Sequence, residues 1–388
     1  MESILLKDII QKPISGEWGL EDLYGTGIPV LRTSNFTNEG IINFENVVTR
    51  NISPSKLKGK LLQKGDILLE KSGGSDRQPV GRVVYFDGQA DKYGFNNFTS
   101  ALRISDLTMW NPKYIFYALY ANYHHGGTRK YENKTTGLHN LKVDLFIRSF
   151  SVPYATLIKQ NEIVKKLDLL NHLENVCEVQ LQKLDELIKS RFLEMFGMSE
   201  GIDKHLEDVA DICSGITKGR KVLGLELREV PYMAVSNVKM GYIDLSTVKT
   251  IMATENEIEQ YRLFPNDILM TEGGDPDKVG RGAIIRNPPK DCIHQNHIFR
   301  VRLHKDVLLP EFFEEYLQGN SARRYFLKAA KQTTGIASIN MKQLRALPVK
   351  IPPIKVQIQY SDFVHQVDKS KYREAIFLYL LEDVLHML

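Results

Sequence analysis

The sequence has few cysteines, no long hydrophobic run and no secretory signal. Its three cysteines, Cys177, Cys213 and Cys292, lie far apart, so they form neither a disulfide framework nor the close ligand spacing of a structural metal site. No stretch approaches the ~20 apolar residues of a membrane span. The N-terminus has Glu2 and Asp8 around a short apolar run, which is not a signal peptide. We therefore expect a protein of a reducing cytoplasm, with no metal and no membrane contact.

The motifs of several enzyme classes are also missing. The G-x-G at Gly25 and Gly27 lacks the third glycine of a dinucleotide-binding loop, and no P-loop occurs. Asn287–Lys290 resembles the catalytic tetrapeptide of amino-methyltransferases, but its lysine stands where an aromatic ring must stack on the flipped base. The Asp275–Lys278 stretch has only a weak similarity to a nuclease core. These absences argue against a methyltransferase site, a P-loop nucleotide site and a nuclease centre in this chain.

What is present is the composition of an ordinary folded protein. Hydrophobic residues make up 43% and charged residues 25% of the 388 positions, which is enough for two or three domains with apolar cores. The formal net charge of +4 is mildly basic. That charge permits nucleic-acid binding without requiring it.

One segment, Lys159–Phe196, has the pattern of an unusually long helix. It contains no proline and is rich in Leu, Lys, Glu and Gln, which are good helix formers. A helix of this kind would be roughly 50 Å long at about 1.5 Å per residue, which is typical of a coiled coil or spacer. Apolar residues recur at steps of four and three, on one narrow face: Ile163, Leu167, Leu170, Cys177, Leu181, Leu184, Ile188 and Met195.

The same stripe returns at the end of the chain, 200 residues later. Glu374 stands where Glu174 interrupts the first stripe. Two copies of one helix, each after a large block, indicate a duplicated protein. We expect the two helices to pack against each other, the alternative being that each packs on its own domain. The second stripe consists of Phe363, Val367, Phe377, Leu381, Val384 and Leu388.

The blocks before the two helices also correspond. Short β-branched runs bounded by Gly, Asn, Asp or Pro, and then a helical run at Tyr114–Tyr123, predict a mixed α/β domain with an irregular sheet. Landmarks such as Gly65–Leu68 recur near Asn266–Leu269, while the sequences between landmarks differ widely. A shared frame with divergent loops is how one scaffold reads two ligands. We predict an α+β fold in four parts, residues 1–153, 154–198, 199–353 and 354–388.

The first candidate binding loop lies at Lys71–Phe86. Paired glycines let a backbone adopt positive φ and approach a ligand closely, and the surrounding side chains are donors suited to phosphate or a guanine edge. The alternative is a plain tight turn with solvated charges. The candidate residues are Lys71, Ser72, Gly73, Gly74, Ser75, Arg77 and Arg82, with Gly273, Gly274, Lys278 and Arg281 in the more acidic second copy.

A second candidate loop, Gly126–Gly137, mixes basic residues with threonines and amides, as suits a sugar–phosphate backbone. Its residues are Arg129, Lys130, Lys134, Thr135 and Thr136, matched by Lys331, Gln332, Thr333 and Thr334. Amides can pair with adenine through two hydrogen bonds, which adds Asn96, Asn97, Gln295 and Asn296. The set is completed by Arg32, Ser34, Asn35, Ser236, Asn237, Lys218, Arg220 and Lys221.

In this order, the motifs resemble those of a known family, the specificity (S) subunits of type I restriction–modification systems. The resemblance covers essentially the whole chain. It depends on the duplication and on five motifs: Lys64–Arg82, Thr135–Gly137, Pro153 with Gln160, Pro353 with Gln357, and Arg191–Gly197. The sequence departs from the pattern in its acidic second glycine loop and in a final helix that ends at Leu388.

The resemblance implies a function as well as a fold. It implies two target-recognition domains that each read one half of a bipartite site in double-stranded DNA, separated by an antiparallel coiled coil and related by a pseudo-twofold repeat. It implies no catalysis by the chain, and docking to two modification (M) subunits that bind S-adenosylmethionine and methylate adenine. Restriction (R) subunits would join them, in the cytoplasm of a bacterium or archaeon.

Two other hypotheses remain open at this point. One is a duplicated, non-enzymatic protein-binding scaffold that dimerises through its helices, which would bind DNA poorly even with a methyltransferase partner present. The other is a stand-alone methyltransferase–nuclease, which the missing motifs argue against. Methyl transfer by the purified chain alone would support it.

Overall fold

The computed structural model describes residues 2–76, 78–135, 138–197, 201–221, 226–275, 279–333 and 336–387. The chain divides into two compact units, Met1–Leu173 and Glu174–Leu388. In the described part of the chain, no helix is both long and apolar enough to cross a membrane.

The first unit, over its described residues, contains thirteen short strands and four short or medium helices. Its strands are β1 (Ser3–Leu5), β2 (Ile14–Ser15), β3 (Leu20–Glu21), β4 (Ile28–Leu31), β5 (Val48–Asn51), β6 (Ile67–Glu70), β7 (Ser72–Gly74), β8 (Val83–Tyr85), β9 (Gly94–Phe95), β10 (Thr99–Leu102), β11 (Glu132–Thr135), β12 (Leu138–Leu141) and β13 (Ser151–Pro153). Its helices are α1 (Leu6–Ile9), α2 (Pro54–Leu57), α3 (Pro112–His124) and α4 (Val143–Ser149), and α5 (Leu157–Phe196) begins in this unit.

The strands of the first unit form four small sheets, in the orders β2-β10-β6-β8, β3-β5-β4-β9, β11-β12-β7 and β1-β13. Their pairings are antiparallel except that of β4 with β9. Strand β6 is buried along its whole length because both of its faces are covered. Ile67 and Leu69 enter the core under α1, α3 and α4, while Leu68 enters a second core with Leu31 and Phe95, as side chains alternate along a strand.

The second unit repeats this plan. Its strands are β14 (Ile202–His205), β15 (Ala210–Ser214), β16 (Arg228–Met233), β17 (Lys249–Ala253), β18 (Asp267–Thr271), β19 (Gly273–Gly274), β20 (Gly282–Ile285), β21 (Ile293–His294), β22 (Ile298–Leu303), β23 (Lys331–Thr333), β24 (Ile336–Ser338) and β25 (Pro348–Ile351). Its helices are the rest of α5, α6 (Glu255–Tyr261), α7 (Pro310–Gln318), α8 (Asn320–Ala329), α9 (Met341–Arg345) and α10 (Ile354–Met387).

Its sheets have the orders β15-β22-β18-β20, β17-β16-β21, β19-β24-β23 and β14-β25. Each corresponds to a sheet of the first unit, except that over the described residues β17-β16-β21 has no equivalent of β3. The pair β16–β21 is parallel, like β4–β9. Asp66 and Asp267 open the central strands and bind Arg103 and Arg302 through pairs of hydrogen bonds of 2.7–2.8 Å. The predicted mixed α/β character is confirmed, whereas the four domain limits stay predictions.

The two long helices are continuous, as their sequence predicted. The stripe residues of α5 are buried or half-buried, whereas Phe377 of α10 is exposed. The side chains of Leu381 and Val384, and all of Leu388, lie outside the described residues.

Contacts between the two helices are present within the second unit. Asp185 forms a 2.7 Å ion pair with Lys371, and the Arg191 guanidinium lies 5.9 Å from the centre of the Phe363 ring. Burial and the neighbouring Glu374 carboxylate raise the pKa of the Cys177 thiol. Along α5, Cys177, Asp185 and Arg191 contact Glu374, Lys371 and Phe363 of α10, so the residue number of the partner falls as the residue number in α5 rises.

Candidate nucleic-acid interface

In each unit one small sheet brings the two predicted binding loops together. Strand β7 carries Ser72, Gly73 and Gly74 and pairs with β12, where Gly74 lies opposite His139. Strand β12 pairs in turn with β11, which holds the backbone of Lys134 and Thr135. In the second unit β19, with Gly273 and Gly274, pairs with β24, and β24 pairs with β23. Loops far apart in sequence are therefore neighbours.

The glycine loop of the first unit is held by side chains of the second loop. Glu132 accepts a 3.0 Å hydrogen bond from the Val80 backbone and contacts His139 Nδ1 at 3.0 Å. Arg129 donates to the Asp76 carbonyl at 3.4 Å. A Cβ atom on Gly74 would lie 2.5 Å from the Val80 nitrogen, so no other residue fits there. These contacts hold the described residues of the loop in place.

The amide loops follow the parallel strand pairs. Asn96 comes after β9, and its backbone donates to the Leu31 carbonyl at 2.9 Å. Its side chain is buried and accepts from Thr99, while the neighbouring Asn97 is exposed. Asn97 is therefore the amide of this loop that is available to a ligand.

The second unit has a similar loop with different chemistry. The Gln295 backbone donates to the Met233 carbonyl at 3.0 Å, and its side chain accepts from Val235 at 3.4 Å. Gln295 and Asn296 are both half-buried. Each parallel pair thus ends in a different set of amides.

Several predicted residues already have partners inside their unit. Asn35 and Asn237 are buried, and each side chain accepts one backbone N–H and donates to two carbonyls. Arg82 donates to the carbonyls of Thr33 and Phe36 at 2.9 and 3.0 Å. The Arg220 guanidinium binds the Glu257 carboxylate. These four side chains shape the loops from within.

The remaining predicted residues differ in accessibility. Those exposed are Ser34, Gly73, Ser75, Asn97, Arg129, Lys130, Lys218, Lys221, Ser236 and Lys331, and those half-buried include Arg32, Lys71, Ser72, Gly273, Gly274, Arg281, Gln295 and Asn296. Arg77, Thr136, Lys278 and Thr334 lie outside the described residues, as do the side chains of Lys134, Thr135, Gln332 and Thr333.

One position carries opposite charge in the two units. The Lys71 backbone donates to Phe98 and accepts from Leu141, and the Glu272 backbone makes the same two bonds to His297 and Ile339. Burial lowers the pKa of Lys71, whose ammonium donates to Ser15 at 2.9 Å. Glu272 instead contacts the His297 ring at 2.6 Å. The two loops therefore share a backbone and present different groups.

The candidate residues omitted two arginines. Arg323 and Arg324 are exposed on α8 together with Lys328, and within the described residues none of the three forms an ion pair. The sequence signal was available, since no aspartate or glutamate occurs between positions 316 and 350. Gly16 and Gly215 were also missed. A Cβ on Gly16 would lie 2.2 Å from the Phe95 carbonyl oxygen, and one on Gly215 would lie 1.9 Å from that of His294. Phe95 and His294 end the strands that precede the amide loops.

Known proteins share both the sequence pattern and the fold. Residues 200–375 match the family described as the type I restriction modification DNA specificity domain. The chain is 24% identical over 369 residues to the type I restriction enzyme EcoKI specificity subunit of Escherichia coli (strain K12), covering 88% of this chain and 75% of that protein. It is 22% identical over 378 residues to the StySPI specificity subunit of Salmonella potsdam, covering 90% and 77%.

Among solved structures, the fold is similar to that of the type I restriction–modification system S subunit from M. genitalium. The TM-score is 0.57 at 13% identity, with 100% of this chain and 94% of that chain covered.

Proposed function

We propose that this chain, which belongs to the specificity subunits of type I restriction–modification systems, reads its DNA target in two halves, one with each unit. The observation that carries the proposal is the pair of loop sets described above. Both units hold a glycine loop, a neighbouring strand pair (β11 with β12, β23 with β24) and an amide loop on equivalent strands. At equivalent backbone positions, however, the first unit has Lys71 and Asn96 where the second has Glu272 and Gln295.

The accessible residues divide by the contacts they suit. Exposed cations such as Arg129, Lys130 and Lys331 would bind phosphates and set the position of each unit on the duplex. Asn97, Gln295 and Asn296 would read base edges, because a carboxamide both donates and accepts. Buried side chains such as Asn35 and Asn237 would act indirectly, by keeping the loops in shape.

We also propose that α5 and α10 pack antiparallel as a spacer between the two DNA contacts. The order of contacts within the second unit supports this, since Asp185, Arg191 and Phe192 meet Lys371, Phe363 and Tyr360 in turn. A rod of about 50 Å corresponds to roughly 15 base pairs at ~3.4 Å each. The half-sites would then be separated by base pairs that no residue reads.

The chemistry would come from other subunits. The names of the relatives support a place in a type I restriction enzyme, where two methyltransferase subunits would hold S-adenosylmethionine and transfer its methyl group to adenine. Restriction subunits would complete the assembly, in the cytoplasm of a bacterium or archaeon. The chain itself would bind no cofactor and break no bond. The protein-binding scaffold considered from the sequence is not favoured by these relatives.

Exchange of one unit tests the proposal. Residues 1–173 are replaced by the corresponding block of a relative with a different target, and methylated adenines are mapped in cells that carry the partner subunits. We expect one half of the methylated motif to change and the other half to persist. A motif that is unchanged in both halves, or changed in both, would contradict the assignment of one half-site to each unit.

A further inference from the structure

A cleft in the second unit, lined by none of the candidate DNA-binding residues, has an excess of negative charge. It encloses about 330 Å³, at the lower end of the roughly 300–1,000 Å³ typical of small-molecule sites. Helix α7 contributes Glu311, Glu314 and Glu315, and α10 contributes Tyr360 and Asp368. We propose that this cleft binds a guanidinium group.

The first argument is the hydroxyl of Tyr360. This side chain is fully buried, and within the described residues its oxygen has no hydrogen-bond partner. Tyr360 lines the cleft, and burial together with the nearby carboxylates of Glu315, Glu314 and Asp368 raises the pKa of its hydroxyl. A buried hydroxyl without a hydrogen-bond partner has a free-energy cost. A bound cation that donates to the phenol oxygen would remove that cost.

The second argument is the charge balance of the lining. Arg286 lies 3.1 Å from Asp368 and 3.7 Å from Glu314. Lys371 is held by Asp185 at 2.7 Å and lies 3.7 Å from Asp368.

Two carboxylates are less well balanced. Glu311 pairs with a histidine, His365 at 3.3 Å, rather than with a lysine or arginine of the described chain. Burial raises the pKa of the Glu315 carboxyl, and Lys189 is the cation that offsets this most. Glu311 and Glu315 are therefore available to bind an added positive charge.

The equivalent positions of the first unit carry different side chains. Gln160 and Gln357 bind the same backbone position before α3 and α7, which makes Lys113 the counterpart of Glu311 and Tyr117 that of Glu315. There the Lys113 ammonium pairs with Asp168 at 2.7 Å, and the Tyr117 hydroxyl donates to Asp168 at 2.5 Å. By the same alignment His365 is the counterpart of Asp168, so the pair is inverted in the second unit, where Glu311 contacts His365. Glu311 and Glu315 thus stand where the first unit has an ammonium group and a phenol.

The lining favours a guanidinium over a metal ion. In the described part of the chain, no three carboxylate, histidine or cysteine side chains are arranged to hold a metal. Carboxylates spaced along one helix turn and a phenol oxygen suit a flat group with several N–H donors. Tyr242 and Met240 lie at the opening and are 59% and 45% exposed, so an aliphatic stem would have apolar contacts.

Binding to the purified full chain is measured by calorimetry with agmatine, a free guanidinium ligand, and with acetyl-Gly-Arg-Gly-amide, which carries the group on a peptide. We expect Glu315→Gln to weaken binding about tenfold or more and Tyr360→Phe to weaken it several-fold. Glu259→Gln, an exposed carboxylate on α6, should leave affinity unchanged. Stronger binding of the peptide would indicate a partner protein as the source, and stronger binding of agmatine a free metabolite.

Proton linkage gives an independent readout. Burial raises the pKa of Glu314 to about 7, so its carboxyl is largely protonated at pH 6 and largely charged at pH 8. Agmatine should bind more tightly at pH 8, with release of protons.

The proposal is overturned if neither ligand binds at millimolar concentration, if Glu259→Gln weakens binding as much as Glu315→Gln, or if equimolar Mg²⁺ displaces agmatine. None of these measurements uses DNA, so they are independent of the proposed reading of half-sites.

Discussion

Two buried glutamines each hold three backbone groups with a single side chain. Gln357 accepts from the Leu309 backbone at 2.9 Å and donates to the carbonyls of Val307 and Pro352 at 3.0 and 2.8 Å. Gln160 makes the same three bonds to Asn111, Met109 and Ala155. Each glutamine ties the first turn of a long helix to the loop before a shorter one.

We expect Gln357→Met to destabilise the second unit by about 2–4 kcal/mol, because three buried backbone groups would be left without their side-chain partner. Urea unfolding, followed by circular dichroism, measures the change as a lower midpoint. Gln359→Met is the matched control, since Gln359 is exposed two positions further along α10. Equal midpoints for the two variants would show that the buried hydrogen bonds contribute nothing.

Glu314 should make stability depend on pH. Its pKa is about 7 in the folded chain, against an ordinary value of 4.5, because burial disfavours the charged carboxylate. Between these values the folded state holds more protons than the unfolded state, so stability falls as pH rises from about 4.5 to 7.

Glu314→Gln removes this titrating carboxyl. The free energy of unfolding of the variant should therefore fall less between pH 5 and pH 8 than that of the unchanged protein. Glu259→Gln should keep the slope of the unchanged protein. If the Glu314→Gln variant kept the full pH dependence of the unfolding free energy, a group other than Glu314 would be responsible for it.

At the scale of elements, α8 is one difference between the two units. The first unit has the loop at Arg129 and Lys130 where the second has a ten-residue helix with exposed Arg323, Arg324 and Lys328. A helix face with three cations and no acid is suited to a run of phosphates.

We expect replacement of all three by glutamine to weaken DNA binding and to flatten its salt dependence. The slope of log K against log salt should fall by about 0.9 for each phosphate that the protein no longer neutralises, so by roughly two to three in all. Lys355→Gln removes an exposed cation at the start of α10 and serves as the control. An unchanged slope in the triple variant would exclude α8 from the DNA-binding surface.

Sequence reasoning found the elements that depend on local pattern. The stripe of α5 and the recurring landmarks around Gly73 and Gly273 follow from periodicity and spacing, which are visible along the chain. Sequence reasoning could not distinguish residues that shape a loop from residues that are free to contact DNA. Arg82 and Asn35 donate to backbone carbonyls that only the fold brings near. The stretch around Arg323, which has no aspartate or glutamate, indicated a basic surface. The candidate residues included Lys331 from this stretch but not Arg323 or Arg324.

At the scale of the whole molecule, the proposed spacer predicts that the length of α5 and α10 sets the distance between the two half-sites. Insertion of one heptad after Gln180 in α5 and one after Tyr372 in α10 would keep both stripes in register. The insertion points lie between the Cys177–Glu374 contact and the Asp185–Lys371 ion pair.

The rod would lengthen by about 10 Å, equivalent to roughly three base pairs at ~3.4 Å each. We expect the methylated motif to keep both half-sites and to gain about three unread base pairs. Seven residues inserted after Gly59, where a side chain would meet only open space, are the control and should leave the gap unchanged. A constant gap in the heptad variant would rule out the helices as the measure of spacing.

The reach of Gln160 bears on how new specificities could arise by recombination. This residue lies inside α5, yet its bonds belong to the loop before α3, and Tyr117 of α3 contacts Asn171 at 3.1 Å. A crossover between related genes at Pro153 would join a glutamine from one parent to a loop from the other. A crossover beyond Asn171 would transfer the block with its own anchor, so the breakpoints of viable hybrids should fall within the helix.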